Sequence, residues 1–423
     1  MGRIGIKDVT PGMPLSRDVK DQSGHLLASS GQVLTQKMIR IFKIWGIPEL
    51  WIQDDADQDQ APEKEPLLPE TVRLQAEAIT RHRFQYNDLN DPFTAELFRI
   101  SCLKKGQRLM QNPEDTPEAG PVSEQDRQVS RHGPSKSKAK KVNIDFLINK
   151  TLRMGSIPDI YYKTIAAINN PEASLDDIAN IVSKDITLSA KVLQLVNSSF
   201  YSLRQKVDTL TWALALIGTN QLMTIVSGVS AVSLFKHIPS QLLNMVSFWE
   251  HSIACGTAAR LLSGYFPERM DPERFFVAGL LHDIGRLILV QNLSKEYLSL
   301  LQYVTQEERF LFAAETEKFG VDHSEIGARL AVHWNLPESL VSMLKHHHFP
   351  EYGRSFREAA IINLADILVN ALEIGNSGET LVPVIEPKVC QELSLDKEIL
   401  QPVINEIEDR LDETFAIIYG TLE

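Results

Sequence analysis

The amino-acid sequence predicts a mainly α-helical protein with a small β-rich module at its N-terminus and a linker ahead of the helical domain. Turn signals bound short segments of β character in residues 1–53, and residues 112–142 contain almost no apolar side chains. Amphipathic helical periodicity then dominates residues 143–423. Residues 54–111 lie between these parts, and we interpret them as a spacer followed by a helical connector.

The composition excludes several classes of protein. Apolar residues make up 43% and charged residues 23%, as in ordinary globular proteins. The net charge of −12 argues against a dedicated binder of nucleic acid or of an anionic membrane, because phosphate contacts are made chiefly by Lys and Arg. Three distant cysteines, Cys102, Cys255 and Cys390, suggest neither a disulfide framework nor a cysteine-based zinc site. Without a signal pattern or a long apolar run, we expect a cytoplasmic protein.

The N-terminal third of the chain contains few long helical patterns. In residues 1–53 the segments LSRDV, HLLAS and ELWIQ have β character, and one helix is predicted from about Thr35 to Trp45. Residues 54–65 form a polar spacer, after which helical periodicity runs from Leu67 to about Gln111. The segment 112–142 is rich in Pro, Glu, Ser, Gly and Lys, and it cannot bury enough surface to offset its ordering entropy. We therefore predict a flexible linker there.

Helical segments follow one another to the end of the chain. Pro, Gly and Asn separate them, and alternation of the β type is nearly absent. The predicted helices are 143–154, 158–169, 174–183, 187–197, 208–234, 239–265, 272–290, 294–318, 323–334, 337–348, 356–373 and 396–420.

Ionisable side chains occur on the apolar faces of these helices. His282 and Asp283 lie within LLHDIGR, where a carboxylate buried without a partner would be costly. Five more residues share the anomaly: His251, His323, His347, His348 and Asp366. Imidazole and carboxylate together are ligands for Zn, Fe or Mn. The set therefore predicts a divalent metal site, mononuclear or dinuclear, although each histidine alone is more often a hydrogen-bonded core residue.

The order His251, His282-Asp283, Asp366 resembles the H…HD…D signature of the HD superfamily of metal-dependent phosphohydrolases. Other segments are similar to HDOD domains, namely IPDIYYKTIAAINNPEASLDDIANIVSKDITLSAKVLQLVNSSFYS, residues 213–218, GVDHSEIGARLAVHWNLPESL and HHFP at 347–350. The resemblance covers roughly residues 143–375. It implies an all-helical HDOD signalling domain, and the N-terminal segment from PGMP to IWGI resembles the module often found ahead of such domains.

The related HD-GYP family, which hydrolyses cyclic di-GMP, supplies a mechanistic comparison. Its further ligands match His323, His347 and His348, whereas HDOD domains generally lack much of this set. Three positions depart from its pattern: Ser247 and Phe349 stand where Glu is usual, and Arg286 stands for Lys. In a catalytic protein the resemblance implies that Asp283 bridges two cations and that Arg286 steadies a phosphate oxygen.

Three interpretations follow from these patterns. The leading one is a non-catalytic signal-transduction output or scaffold protein, with a structural or regulatory metal and signalling proteins of unknown identity as partners. The alternative is a metal-dependent phosphohydrolase acting on a cyclic dinucleotide such as cyclic di-GMP. In the third, the buried His and Asp side chains only satisfy one another.

Overall fold

The computed structural model describes the chain in three stretches. They are residues 2–52 with gaps at 7–8, 11, 21–25, 29, 35–37, 40–41, 43–46 and 48; residues 68–112; and residues 142–420 with gaps at 155–158, 169, 199–204, 236–237, 241 and 267–269. The predicted spacer 54–65, nearly all of the predicted linker and most of the NSSFYS segment lie outside the described residues.

The N-terminal module contains four short strands among its described residues. They are β1 (Gly2–Gly5), β2 (Val19–Lys20), β3 (Leu26–Ala28) and β4 (Glu49–Ile52). Strand β1 pairs antiparallel with β4, and β2 pairs antiparallel with β3. A separate small apolar core that includes Leu15, Leu34 and Phe42 holds these pairs together. The predicted helix at 35–45 falls largely outside the described residues, although Met38, Ile39 and Phe42 are helical.

Helices form the rest of the described chain, which confirms the predicted fold class. They are α1 (Glu70–Arg83), α2 (Pro92–Gln111), α3 (Ile144–Met154), α4 (Asp159–Ile168), α5 (Leu175–Val182), α6 (Ile186–Asn197), α7 (Leu210–Ile217), α8 (Thr219–Leu234), α9 (Met245–Ser263), α10 (Pro272–Leu281), α11 (Ile284–Asn292), α12 (Ser294–Gln306), α13 (Leu311–Phe319), α14 (His323–His333), α15 (Glu338–His346), α16 (Phe356–Ala371), α17 (Pro387–Leu393) and α18 (Leu400–Ile418). Short 3-10 turns occupy Pro350–Tyr352 and Lys397–Ile399.

Three predicted helices are divided in the structure. The segment 208–234 breaks at Gly218, whose φ of +85° is a conformation that favours glycine. The segment 272–290 breaks at His282-Asp283, and 294–318 breaks after Gln306, next to Glu308 with a φ of +51°. Hydrophobic periodicity continues across each break, so the sequence alone does not reveal these turns.

Two central helices are buried nearly all round. Helix α9 packs against α10, α16 and α18, and α16 also packs against α10 and α15. A helix that is covered on every face places any polar side chain it carries in the interior. This packing therefore positions His251 of α9 and Asp366 of α16 inside the helical domain, where both are at most 4% exposed.

The connector helices α1 and α2 pack onto the helical domain. Phe84, Phe93 and Leu97 belong to the same apolar core as α9 and α16. Arg83 and Lys105 form ion pairs with Glu373, which follows α16. The sequence-based boundaries between spacer, connector, linker and helical domain stay predictions.

Within the described ranges, no single helix has both the length and the apolar character needed to cross a bilayer. The segments Leu210–Ile217 and Gln221–Leu234 meet these criteria only when they are joined across a bend of 113°.

Candidate metal centre

All seven predicted ligand side chains lie together in the interior of the helical domain. They are His251 in α9, His282 and Asp283 between α10 and α11, His323 at the start of α14, His347 and His348 after α15, and Asp366 in α16. Six of them are at most 4% exposed, and His348 alone is partly exposed. The structure therefore brings all seven side chains together, whereas their role as metal ligands stays a prediction.

The first group of donor atoms lies between α9, α10 and α16. Nε2 of His251 is 3.2 Å from Oδ1 of Asp366, and Nε2 of His282 is 3.4 Å from the same oxygen. Sγ of Cys255, one turn after His251 on α9, is 3.5 Å from Nε2 of His251. These four side chains are buried, and each offers a donor atom within 4.8 Å of the others.

The second group consists of three imidazoles. Nε2 of His323 is 2.9 Å from Nε2 of His348, and the rings of His347 and His348 have centroids 4.0 Å apart. Each ring offers a nitrogen within 4.8 Å of the others. Three imidazoles that approach this closely can share one cation, because each ring nitrogen without a proton has a lone pair to donate.

Asp283 connects the two groups. Its Oδ2 lies 3.2 Å from Nε2 of His282 and 3.7 Å from Nε2 of His251, whereas its Oδ1 lies 3.0 Å from Nε2 of His323. One oxygen therefore faces each group. A carboxylate in this position is suited to bridge two cations, as the resemblance to HD-type proteins implies for Asp283.

Hydrogen bonds fix the orientation of three of the rings. Nδ1 of His282 donates to the carbonyl oxygen of Gly279 at 2.7 Å, and Nδ1 of His347 donates to that of Leu344 at 2.7 Å. Nδ1 of His323 lies 2.6 Å from a carboxylate oxygen of Glu315. Since a carbonyl or an ionised carboxylate can only accept, each Nδ1 carries a proton, and in the neutral ring Nε2 then has a free lone pair. This is the arrangement that metal-bound histidines usually have.

Several atoms at the centre have no hydrogen-bond partner of acceptable geometry. They are Nδ1 of His251, Nε2 of His282, Nε2 of His347 and both carboxylate oxygens of Asp283. Buried polar atoms of this kind are costly unless something compensates them. All of these atoms except Nδ1 of His251 are ones that a cation would contact, so the residues fit a metal centre. Imidazole and carboxylate ligands suit Zn, Fe or Mn.

The buried carboxylates stabilise positive charge at the first group. Burial by itself would lower the pKa of His282, but Asp283 and Asp366 raise it to about 10. Burial likewise opposes the ionised form of Asp283, yet Arg286, His282 and His323 hold the pKa of that carboxyl well below its usual range. The site therefore favours positive charge, which either an imidazolium or a metal ion can supply.

The second group, by contrast, keeps two neutral imidazoles. Burial, together with the neighbouring His282 and His323, lowers the pKa of His347 to about 3. The pKa of His348 is held well below its usual range, chiefly by burial and then by its neighbours His347 and His323. Only the neutral form of histidine binds a metal ion, so both rings are in the ligating state at neutral pH.

Arg286 lies beside the bridging carboxylate. Its Nη1 is 3.1 Å from Oδ2 of Asp283 and donates to Oγ of Ser377 at 2.6 Å. The guanidinium is 2% exposed and stays charged, since Asp283 raises its pKa against the effect of burial. An arginine at this position supplies fixed charge and hydrogen-bond donors but cannot transfer a proton.

A cavity of about 390 Å³ adjoins the centre at His348. Most of its lining is apolar or aromatic: Phe310, Phe312, Phe349, Pro350, Phe356, Pro383, Val384 and Val389. Phe312 stacks on the ring of His348 with centroids 4.5 Å apart. Phe349, which stands where the HD-GYP pattern has Glu, faces this cavity and is 43% exposed.

Glycines allow the backbone segments around the centre to approach closely. A Cβ on Gly285 would lie 2.0 Å from the carbonyl oxygen of His323, and one on Gly375 would lie 2.3 Å from the backbone nitrogen of His251. Gly375 has a φ of +59°, which also favours glycine. The loop after α16 can therefore cross α9 at His251, and Asn376 donates to the carbonyl of Ser247 there.

Sequence reasoning did not find several residues that support the centre. The three cysteines predicted no cysteine-based zinc site, so Cys255 was given no metal role, and Glu315, Asn363 and Ser377 carried no motif. Glu315 orients His323, Asn363 donates to the carbonyl of His347 at 2.7 Å, and Ser377 accepts from Arg286. Only Cys255 gave a local signal, since it lies four residues after His251 on the same helical face.

The sequence and the fold are similar to those of known proteins. Residues 154–350 match the family model described as HDOD domain. A structure of an HDOD domain protein of unknown function from Geobacter sulfurreducens is 25% identical, with a TM-score of 0.50, over 66% of this chain and 98% of that one. A protein from Marinobacter aquaeolei, named as a candidate signal transduction protein, shares the fold at 22% identity and a TM-score of 0.52, over 70% of this chain and 64% of that one.

A curated relative from Treponema pallidum, named only as uncharacterized, is 25% identical over 199 residues. The match covers 46% of this chain and 38% of that protein's length.

Proposed function

Because this chain carries an HDOD domain, we propose that it is a signal-transduction output protein whose domain holds a dinuclear metal centre as a structural or regulatory element. The observation that carries the proposal is the enclosure of a complete ligand set. Six of the seven ligand side chains are at most 4% exposed, and Arg286 fills the space beside Asp283. Catalytic centres keep an open coordination position for water or substrate, whereas structural centres are closed.

A metal held here would connect parts of the domain that are distant in sequence. The first ion would be held by His251, His282, Asp283 and Asp366, and the second by Asp283 and the three imidazoles of the second group. These ligands come from α9, the α10–α11 junction, α14, the end of α15 and α16. Since metal binds the folded form, occupancy stabilises this packing, and its gain or loss could alter the surface offered to partner signalling proteins.

The first test is the metal content of protein purified anaerobically without chelator. We expect up to two equivalents of Fe, Mn or Zn in the wild type, and loss of both ions in Asp283→Asn because both groups use this carboxylate. Asp208→Asn, which changes an exposed carboxylate, is the matched control and should keep its metal. Wild-type protein that is metal-free and takes up none of the three ions would refute the proposal.

A second candidate function is metal-dependent phosphohydrolysis of a cyclic dinucleotide. The observation in its favour is the cavity that reaches His348, whose aromatic lining could stack on a nucleobase. When bound, the metals would lower the pKa of a water molecule and polarise a phosphate ester, and Arg286 would hold a phosphate oxygen. Hydrolysis of cyclic di-GMP by metal-loaded wild type, lost in Asp283→Asn, would favour this function. Loaded protein that hydrolyses none would favour the output role.

A further inference from the structure

Cys255 is the member of the first group to which no metal role has yet been given. It lies four residues after His251, so both side chains leave α9 on the same face. Its Sγ is 3.5 Å from Nε2 of His251, and the residue is fully buried. Of the three cysteines, which are all free, Cys102 and Cys390 do not join any cluster of metal-binding side chains in the described ranges.

The distances in this group match those between donors on one ion. A tetrahedral ion with a nitrogen at about 2.0–2.1 Å and a sulfur at about 2.3 Å separates the two donors by about 3.6 Å. The observed separation of Cys255 Sγ and His251 Nε2 is 3.5 Å. For nitrogen and oxygen donors the same geometry gives about 3.3–3.4 Å. Asp366 Oδ1 lies 3.2 Å from His251 and 3.4 Å from His282.

A second feature indicates that this space is built for a ligand. Nε2 of His282 is fully buried, makes no hydrogen bond of acceptable geometry and belongs to the same cluster as Cys255. Its orientation is fixed by the bond from Nδ1 to Gly279, and Gly279 packs directly on the backbone of Cys255. The contact between α9 and α10 therefore holds the thiol and the unpaired imidazole nitrogen around one point.

We propose that Cys255 is a thiolate ligand of the first metal position and that it makes this position selective for Zn²⁺ or Fe²⁺ over Mn²⁺ and Mg²⁺. The inference rests on the proposed metal centre and adds the identity of its ion. Thiolates favour softer ions, whereas sites of carboxylate and water alone suit Mg²⁺ and Mn²⁺. With Cys255 the first position has four mutually close donors, namely a sulfur, two imidazoles and the carboxylate of Asp366, and these are ligand types of protein Zn²⁺ sites.

Cobalt substitution tests the proposal directly. Chelator-treated full-length protein is titrated with Co²⁺, which absorbs in the visible when bound and in the near ultraviolet when a thiolate is among its ligands. The wild type and the Cys102→Ser/Cys390→Ser double variant should give both absorptions, since Cys255 is the only thiol left in the latter. Cys255→Ala should keep the visible bands and lose the near-ultraviolet band. Circular dichroism checks that each variant is folded.

The outcomes separate this inference from the proposed function. Visible cobalt bands without a thiolate band in the double variant would overturn the role of Cys255 and leave the metal centre intact. No bound cobalt in the wild type would count against the metal centre and this inference together. The double variant decides the matter even if Cys255→Ala does not fold. As a second readout, Cys255→Ala should lose about tenfold or more of the preference for Zn²⁺ over Mn²⁺.

Discussion

Glu315 and His323 form a buried pair in which the carboxylate lies 2.6 Å from Nδ1 of the imidazole. The same carboxylate accepts from the backbone N–H of His323 at 2.9 Å, and Tyr297 donates to its other oxygen. Glu315 stays ionised, because His323 and Arg286 lower its pKa against the effect of burial. The pair directs Nε2 of His323 at Asp283. Glu315 therefore orients one ligand of the second group without being a member of that group.

Glu315→Gln should weaken metal binding by about 10–100-fold at the second group, the usual cost of losing such an orienting partner. Isothermal titration of chelator-treated protein with Zn²⁺ measures the change. Glu317→Gln is the matched control, since Glu317 lies two residues further along α13 with its side chain 56% exposed. Equal affinities in the two variants would contradict a positioning role for Glu315.

Gly285→Ala should destabilise the domain strongly, by about 3 kcal/mol or more. The new methyl group would lie 2.0 Å from the carbonyl oxygen of His323, so α11 and α14 would have to separate. Gly327→Ala tests the same helix contact from its other side, where the nearest atom is at 3.4 Å. Alanine favours helix over glycine, so the control should be neutral or slightly stabilised. Urea denaturation gives the free energy of unfolding of each variant. Similar losses of stability in Gly285→Ala and Gly327→Ala would refute the prediction.

The buried carboxyl group of Glu379 should make the stability of the fold depend on pH. Burial raises its pKa from the ordinary 4.5 to about 7, although Arg286 and backbone N–H groups, including that of Leu311, oppose the shift. The carboxyl ionises less readily in the folded state than in the unfolded state. Its contribution to the free energy of unfolding is therefore fully present below pH 4.5 and is lost as the pH rises to about 7. The loss amounts to at most about 3 kcal/mol.

The measurement is the free energy of unfolding between pH 4.5 and 7.5 in chelator-treated protein. Glu379→Gln cannot ionise, so the wild type should lose stability relative to this variant as the pH rises. Only the difference in pH dependence matters, because the amide also changes the hydrogen bonds to the backbone. Parallel curves for the two proteins would mean that Glu379 is ionised in the folded state throughout this range.

Glu373→Gln should reduce stability by about 1–3 kcal/mol. This carboxylate pairs with Arg83 at 3.2 Å and with Lys105 at 2.9 Å, and the Lys105 side chain is only 7% exposed. Removal of the negative charge takes one counter-charge away from that ammonium group in a poorly hydrated place. Glu408→Gln breaks the pair with Lys104, which is more exposed, and should cost about 0–1 kcal/mol. Thermal denaturation at low salt compares the melting temperatures of the two variants with that of the wild type. Equal decreases in the two variants would contradict the prediction.

The helical architecture was predictable because helix periodicity is a local property of the sequence. Helices α9 and α16 were expected from their apolar spacing, and both are present. The breaks at Gly218 and at His282-Asp283 were missed, since apolar residues continue on both sides of each turn. Helix α17 has seven residues, too few for periodicity to detect.

The sequence by itself determined which side chains could bind a metal. The seven ionisable residues on apolar faces were identified from residue type and spacing alone, because burying charge without compensation is costly wherever it occurs. Family resemblance then supplied the expectation that they meet.

Only the tertiary structure decided how these residues meet. It placed Asp283 between the two groups and oriented three of the imidazole rings through Gly279, Leu344 and Glu315. It also buried every ligand except His348, and it brought Ser377 to Arg286. It also brought Cys255 within 3.5 Å of His251 Nε2, next to His282 and Asp366. Such distances depend on how helices far apart in sequence pack against one another, and no local pattern encodes them.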